Sequence, residues 1–137
     1  MEKEYTFINA KNNKFMHKIL VVDDIPINVL LLKRILEKAS YEVYTAQNGE
    51  EALEVMKREN ISLVLLDIGM PILDGLGVLD VKKQELSIKN IPVIMVSAFS
   101  ERNIIEESLQ KGANAYIKKP IDKQELMLEM GKILHIN

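Results

Sequence analysis

Acidic residues follow two of the most apolar stretches of this chain. Asp23 and Asp24 come directly after the run "KILVV", and Asp67 comes directly after "ISLVLL". Burying a carboxylate in such a place costs free energy unless the charge has a partner, so its presence there suggests a function. Ser97 and Lys118 stand at the ends of two further apolar runs. These residue types together indicate chemistry that needs carboxylates, a hydroxyl and a lysine.

If these side chains converge, the carboxylates must be neutralised. Two carboxylates about 4 Å apart repel by roughly 4 kcal/mol at an effective dielectric constant near 20. A bound divalent cation removes this cost, and a few carboxylates with water suit Mg²⁺. Lys118 and Ser97 beside the cation would hold the oxygens of a phosphoryl group. Asp67 would then be the nucleophile that forms an aspartyl phosphate.

The elements that must position these residues alternate along the chain. Short apolar runs predict strands over residues 18–22, 41–46, 61–66, 92–97 and 115–119. Segments with apolar residues at helical spacing follow each of them, with Asn48 and Asp122 as candidate N-caps. This pattern predicts an α/β fold, a doubly wound (βα)5 parallel sheet with helices on both faces. The more polar second and fifth strands should be edges, which favours the flavodoxin-like order 2-1-3-4-5.

The predicted strand order brings the polar residues to one place. The carboxyl ends of parallel strands share one edge of the sheet, and ligands bind where the strand order reverses. Here that point lies between strands one and three. We therefore expect Asp23, Asp24 and Asp67 to converge there.

The composition excludes several classes of protein. A chain of 137 residues, 47% hydrophobic, suits one globular domain, and its net charge of −2 gives no sign of a nucleic-acid or membrane partner. There is no cysteine, which excludes disulfides and thiolate metal sites. No apolar run reaches the roughly 18 residues of a membrane span. The N-terminus lacks the apolar core of a signal peptide, so we expect a cytoplasmic protein.

Taken together, the motifs resemble the receiver domain of two-component response regulators. "VVDD", "LLDIGMPILDG", "VSA" and "YIKKP" occur in the family's order, each at a predicted strand end. The similarity covers about Lys18 to Leu134 and is closest to stand-alone, single-domain, chemotaxis-regulator-like receivers. We assign residues 18–137 to the receiver domain and 1–17 to an N-terminal extension. That extension is either a flexible tail or a segment that packs on the domain or on a partner.

The resemblance implies roles for the acidic residues. Asp67 corresponds to the phosphoacceptor. Asp24, Asp67 and the backbone carbonyl of Gly69 should bind Mg²⁺ directly, with Mn²⁺ as an alternative ion, and Asp23 should act through water. Lys118 corresponds to the lysine that pairs with the phosphoryl group, which leaves its neighbour Lys119 as an ordinary solvated charge.

The resemblance also implies a conformational switch. Ser97 corresponds to the hydroxyl that moves towards the phosphoryl group, and the backbone N–H of Ala98 should face the same oxygens. Tyr116 corresponds to the aromatic residue that turns inward as the hydroxyl moves. The bond between Lys119 and Pro120 is expected to be cis.

Gly69 and Phe99 occupy two positions that influence the lifetime of the acyl phosphate in this family. Gly69 lies two residues after the phosphoacceptor, where a longer side chain is more frequent. Phe99 lies two residues after Ser97. The resemblance alone therefore does not predict how long the phosphorylated state lasts.

The implied function is a phosphorylation-activated signalling switch. A histidine kinase or a histidine phosphotransfer protein would donate the phosphoryl group to Asp67. The surface of the fourth helix, fifth strand and fifth helix would then change and control a downstream protein. The chain would be a monomer or a phosphorylation-dependent homodimer, and would catalyse only its own phosphorylation and dephosphorylation.

Other interpretations stay open at this point. A receiver-like module could bind partners without phosphate. A haloacid-dehalogenase-type phosphohydrolase is disfavoured, because it needs a second aspartate where this chain has Gly69. Asp23 and Asp24 could also cap the first helix, and Asn28 is either a surface amide or a partner of the acidic loop.

Overall fold

The structure, a computed structural model, describes residues 17–135. The strands are β1 (Lys18–Val22), β2 (Glu42–Ala46), β3 (Leu63–Leu66), β4 (Val93–Ser97) and β5 (Ala115–Lys118). The helices are α1 (Pro26–Lys38), α2 (Gly49–Arg58), α3 (Gly75–Lys83), α4 (Arg102–Gln110) and α5 (Lys123–Leu134). All strand pairs are parallel and their order is β2-β1-β3-β4-β5. The predicted flavodoxin-like α/β fold is confirmed.

Two helix starts follow the capping pattern in the sequence. The side chain of Asn48 accepts the backbone N–H of Glu51 at the start of α2. The side chain of Asp122 accepts the backbone N–H groups of Gln124 and Glu125 at the start of α5. Each cap satisfies backbone donors that have no partner inside the helix.

The sheet separates two apolar layers. Helices α2, α3 and α4 cover one face, and α1 and α5 cover the other. Successive residues of a strand point to opposite faces. In β1, for example, Leu20 and Val22 pack under α2, whereas Ile19 and Val21 pack under α1 and α5.

This alternation decides which polar residues share a side of the sheet edge. Asp23, Asp67 and Lys119 each come two residues after a strand residue that faces α1 and α5. Lys118, in contrast, comes two residues after Tyr116, which packs with the opposite layer. The three residues of the first group therefore leave the sheet on a common side.

Gly75, the first residue of α3, lies against the loop that follows β3. Its N–H donates to the carbonyl of Ile68 at 2.8 Å. A Cβ at this position would collide with the backbone carbonyl of Asp67. The start of α3 and the end of β3 are thus in direct backbone contact, which only glycine permits.

The predicted extension, apart from residue 17, lies outside the described residues. None of the helices between residues 17 and 135 has the length and apolar character needed to cross a membrane.

Candidate functional site

Three carboxylates meet at the carboxyl edge of the sheet. Asp23, Asp24 and Asp67 each offer an oxygen, and these oxygens lie within 4.8 Å of one another. Asp23 is 2% exposed and Asp67 is 8% exposed, whereas Asp24 is open to solvent. The convergence expected from the strand order is therefore present. Hard oxygen donors in this number suit a divalent cation.

Asp23 is held in place by groups at the start of α1. Its Oδ1 accepts the backbone N–H of Ile25 at 2.9 Å, and its Oδ2 accepts the side-chain amide of Asn28 at 3.2 Å. Ile25 is the N-cap residue of α1, and no side chain caps this helix. Asp23 thus anchors the helix start from two residues before the N-cap position, and Asn28 is a partner of the acidic loop.

The lysine of the site is Lys119, and the assignment to Lys118 is wrong. The Nζ of Lys119 lies 2.7 Å from Asp23 Oδ2 and 3.2 Å from Asp67 Oδ2. Lys118 is exposed, and it pairs in register with Ser97 as the last residue of β5. The physical reason is the alternation of side chains: Lys118 continues the face of Tyr116, while Lys119 continues the face that carries the carboxylates.

The pKa of Lys119 depends on these carboxylate partners. Burial alone would lower its pKa, but the hydrogen bond that its Nζ donates to Asp23 and the negative charges of Asp67 and Asp23 outweigh burial and raise the pKa. Lys119 therefore stays a cation between two buried carboxylates. The Lys119–Pro120 peptide bond is cis, in agreement with the resemblance.

Asp67 is fixed by two donors on different oxygens. Its Oδ1 accepts the backbone N–H of Ile68 at 2.7 Å, and its Oδ2 faces Lys119. Because both contacts constrain the same carboxylate, its orientation does not depend on solvent.

A chain of contacts links Ser97 to Tyr116 through the loop after β4. Ser97 is fully buried, and its Oγ accepts the N–H of Phe99 in a long hydrogen bond of 3.4 Å. The carbonyl of Phe99 accepts the hydroxyl of Tyr116 at 2.6 Å. Ala98, between them, lines a cavity beside α1 together with Lys119. The backbone of Phe99 therefore joins the Ser97 hydroxyl to the tyrosine hydroxyl.

Gly69 and Phe99 are neighbours in space. A Cβ at Gly69 would lie 3.3 Å from Cε2 of the Phe99 ring. The ring itself is 40% exposed. The two positions that the sequence singled out are thus in contact across two loops.

Strand alternation is the sequence signal that identifies Lys119. Counting every second residue from Ile117, which belongs to the buried apolar run, leads to Lys119 and passes over Lys118. Asn28 had a weaker signal, since an amide one helical turn after an acidic pair is common on surfaces.

Comparisons with known proteins identify the family of this chain. The family model described as "Response regulator receiver domain" matches residues 19–130. Sporulation initiation phosphotransferase F of Bacillus subtilis is 37% identical over 85% of this chain and 93% of its own length. A probable transcriptional regulator ycf27 of Cyanidium caldarium is 38% identical over 93% of this chain, but over only 50% of its own length.

A solved structure with a similar fold is described with a bound metal. The receiver domain of sensor histidine kinase PA1611 from Pseudomonas aeruginosa, described with a magnesium ion coordinated in that cleft, matches with a TM-score of 0.80. Its sequence is 26% identical, and the match covers 87% of this chain and 98% of that one. This chain belongs to the family of response regulator receiver domains, the phosphorylation-activated switches of two-component systems.

Proposed function

We propose that Asp67 accepts a phosphoryl group from a phosphohistidine protein and that the phosphorylated chain then controls a protein target. The observation that carries this proposal is the convergence of three carboxylates with the Lys119 ammonium at one sheet edge. The likeness to a sporulation phosphotransferase supports a place in a phosphorelay. The donor is a histidine kinase or a histidine phosphotransfer protein.

Mg²⁺ is the proposed cofactor, and the donor set fits it. The carboxylates of Asp24 and Asp67 and the carbonyl of Gly69 would hold the ion, with Asp23 acting through water. The magnesium described for the similar Pseudomonas receiver supports this assignment. When bound, such an ion neutralises carboxylate and phosphoryl oxygens.

The transfer itself needs one nucleophile and several electrostatic partners. A carboxylate oxygen of Asp67 attacks phosphorus, the P–N bond to the donor histidine breaks, and that bond's electron pair leaves with the imidazole. Lys119 balances negative charge on the transferring group, and the N–H of Ala98 with the Ser97 hydroxyl donates to its oxygens. Hydrolysis by water reverses the modification. The chain catalyses only these two reactions, both on itself.

The signal leaves the site through the contacts of Ser97, Phe99 and Tyr116. When Ser97 turns towards a phosphoryl oxygen, its bond to the Phe99 N–H is lost, and the loop that also holds the tyrosine hydroxyl is released. This loop leads into α4, so the proposed output surface is α4, β5 and α5. Arg102 and Glu106 pair there at 3.2 Å and give that surface mixed charge suited to a protein partner or a second copy. A cytoplasmic location stays a prediction.

Intact mass after incubation with acetyl phosphate and Mg²⁺ tests the proposal. We expect one added phosphoryl group on the protein as it stands. The adduct should be lost in Asp67→Ala and when the metal is chelated.

A matched pair of lysine variants sharpens the test. Lys119→Met should accept the phosphoryl group slowly, and Lys118→Met should behave as the unmodified protein. The proposal fails if the unmodified protein gains no mass from either acetyl phosphate or a phosphohistidine donor and also does not bind Mg²⁺. The chain would then be a receiver fold that binds partners without phosphate.

A further inference from the structure

A cavity lined mostly by residues with polar side chains lies at the opposite edge of the sheet from the acidic cluster. Its volume is about 280 Å³, and it lies between the C-terminal ends of α3 and α4 and the segment that leads into β4. Lysines and amides dominate its lining: Lys82, Lys83, Lys89, Asn90, Gln110 and Lys111. A cavity of this volume has room for more than one water molecule, so a small ligand can enter.

Lys82 is the unusual member of this lining. It lies in the last turn of α3, where it is only 6% exposed. Its Nζ donates to the carbonyl of Lys89 at 2.9 Å, and among residues 17–135 no second acceptor is found for it. An ammonium has three N–H donors, and a buried one without a counter-charge is costly. Consistent with this, burial lowers the pKa of Lys82.

The nearby carboxylates do not compensate for this charge. Asp80 and Glu107 both face Lys111, at 2.8 and 3.8 Å. Within the described part of the chain, no carboxylate lies within 4.0 Å of the amines of Lys82, Lys83 or Lys89. The lining therefore keeps an excess of positive charge after its own ion pairs are counted.

The mouth of the cavity is open. Lys83 and Lys89 are exposed at its rim, where their chains can move towards a ligand. Gly112 has a φ of 109°, and no atom lies within 4 Å of the place where its Cβ would be. A ligand can thus approach the buried Lys82 from solvent between two exposed cations.

We propose that this cavity binds a small tetrahedral dianion of the phosphate class, with Lys82 as the buried anchor and Lys83 and Lys89 closing over it. A dianion matches the excess charge, and its several acceptor oxygens match the free N–H donors of the anchor and rim. The site is separate from Asp67 and does not depend on phosphorylation there. The ligand is either inorganic phosphate or the phosphate group of a small metabolite.

An NMR titration at constant ionic strength and without divalent metal tests the proposal. Potassium phosphate and glucose 6-phosphate are added separately to the 15N-labelled chain. We expect saturable shifts at the amides of Lys89, Asn90 and Gly112 with at least one of them, and the tighter ligand identifies the source. Lys82→Met should weaken binding at least tenfold, and Lys38→Met, on an exposed lysine elsewhere, should leave it unchanged.

A double variant guards against misfolding of the buried substitution. Lys83→Gln with Lys89→Gln changes only exposed side chains and should weaken binding at least threefold. The proposal is overturned if shifts grow linearly without saturation. Equal shifts in all variants, or shifts confined to the region of Ala98, would overturn it as well.

Discussion

Lys119 lies between Asp23 and Asp67, and each of these carboxylates also accepts a backbone N–H. The lysine is therefore the internal counter-ion of the acidic cluster. Any divalent cation that binds there must share these carboxylates with it. In the proposed function, this single side chain would link metal affinity, phosphoryl transfer and the stability of the unphosphorylated site.

We expect Lys119→Met to slow phosphorylation of Asp67 by about 10- to 100-fold, the equivalent of one charge-assisted hydrogen bond. The same variant should bind Mg²⁺ more tightly, because no ammonium competes for the carboxylates. Phosphorylation is followed by intact mass and Mg²⁺ binding by calorimetry. Lys118→Met is the control, and equal loss of rate in both variants would contradict the role of Lys119.

The contrast between these two lysines also shows which parts of the site could be predicted from the sequence. Residue types at strand ends were enough to predict Asp23, Asp24 and Asp67 as one cluster. The choice between adjacent lysines needed the side-chain alternation along β5. The predicted last strand, 115–119, is also one residue longer than β5. The contact between Gly69 and Phe99 joins two loops, and no local pattern predicts such a contact.

Phe99→Ala should shorten the lifetime of the phosphorylated state by several-fold. The ring flanks Gly69, which has no side chain of its own to shield the acceptor. Removing the ring therefore opens a path for water. Loss of the phosphoryl group is timed by mass after the donor is removed. Leu109→Ala, at a similarly exposed apolar residue of α4, is the control and should leave the lifetime unchanged. An unchanged or longer lifetime of the phosphorylated state in Phe99→Ala would refute this role of the ring.

At the scale of elements, the start of α3 is fixed to the end of β3 through Gly75. Backbone touches backbone there, so the loop that carries Asp67 and Gly69 has little freedom to move away from the helix. The sequence motif contains this glycine, but only the packed structure gives its reason.

Gly75→Ala should destabilise the fold by about 1–3 kcal/mol, since the added methyl group displaces the backbone of Asp67. Chemical denaturation measures the change. Gly69→Ala is the matched control: its methyl group meets only the Phe99 ring, and its effect on stability should stay below about 1 kcal/mol. Equal losses in the two variants would argue against backbone contact as the cause.

Lys82, in the last turn of α3, gives stability an alkaline pH dependence. Its pKa is lower in the folded state than the ordinary value of 10.5 because burial disfavours its charge. The unfolded chain binds more protons between these two pKa values, so stability contributed by this group rises with pH in that window. Lys82→Met removes this contribution. The difference in unfolding free energy, Lys82→Met minus unmodified protein, should shrink as pH rises towards 10.5, and a constant difference would contradict the burial of its charge.

At the scale of the whole molecule, alternating strands and helices could be predicted, and so could the strand order. Unbroken apolar runs indicate central strands, and polar ones indicate edges. The strand order fixes where the carboxyl ends of the strands meet. The place of the acidic cluster can therefore be predicted without knowledge of its side-chain contacts. The separate lysine-rich cavity was not predicted, because α3, α4 and the segment between them converge only in three dimensions.

Mg²⁺ should stabilise the entire fold, because it binds the folded cluster and not the separated aspartates of the unfolded chain. At 100 times its dissociation constant, the expected gain in unfolding free energy is about 2.7 kcal/mol. Thermal melts with and without the ion measure it. Asp24→Asn should reduce the gain, whereas Glu50→Gln, an exposed acidic residue of α2, should keep it. An unchanged melting temperature at saturating Mg²⁺ would exclude a metal site here.

The bond between Lys119 and Asp23 joins residues 96 positions apart. A ribosome that has released only the first four strands has already exposed all three carboxylates, but not the cation that orders them. We therefore expect a nascent or proteolytically shortened chain to accept the phosphoryl group slowly until β5 has docked. We likewise expect a chain cut between α4 and β5 to give two fragments that carry out phosphoryl transfer poorly apart and regain the rate of the intact chain when they are mixed.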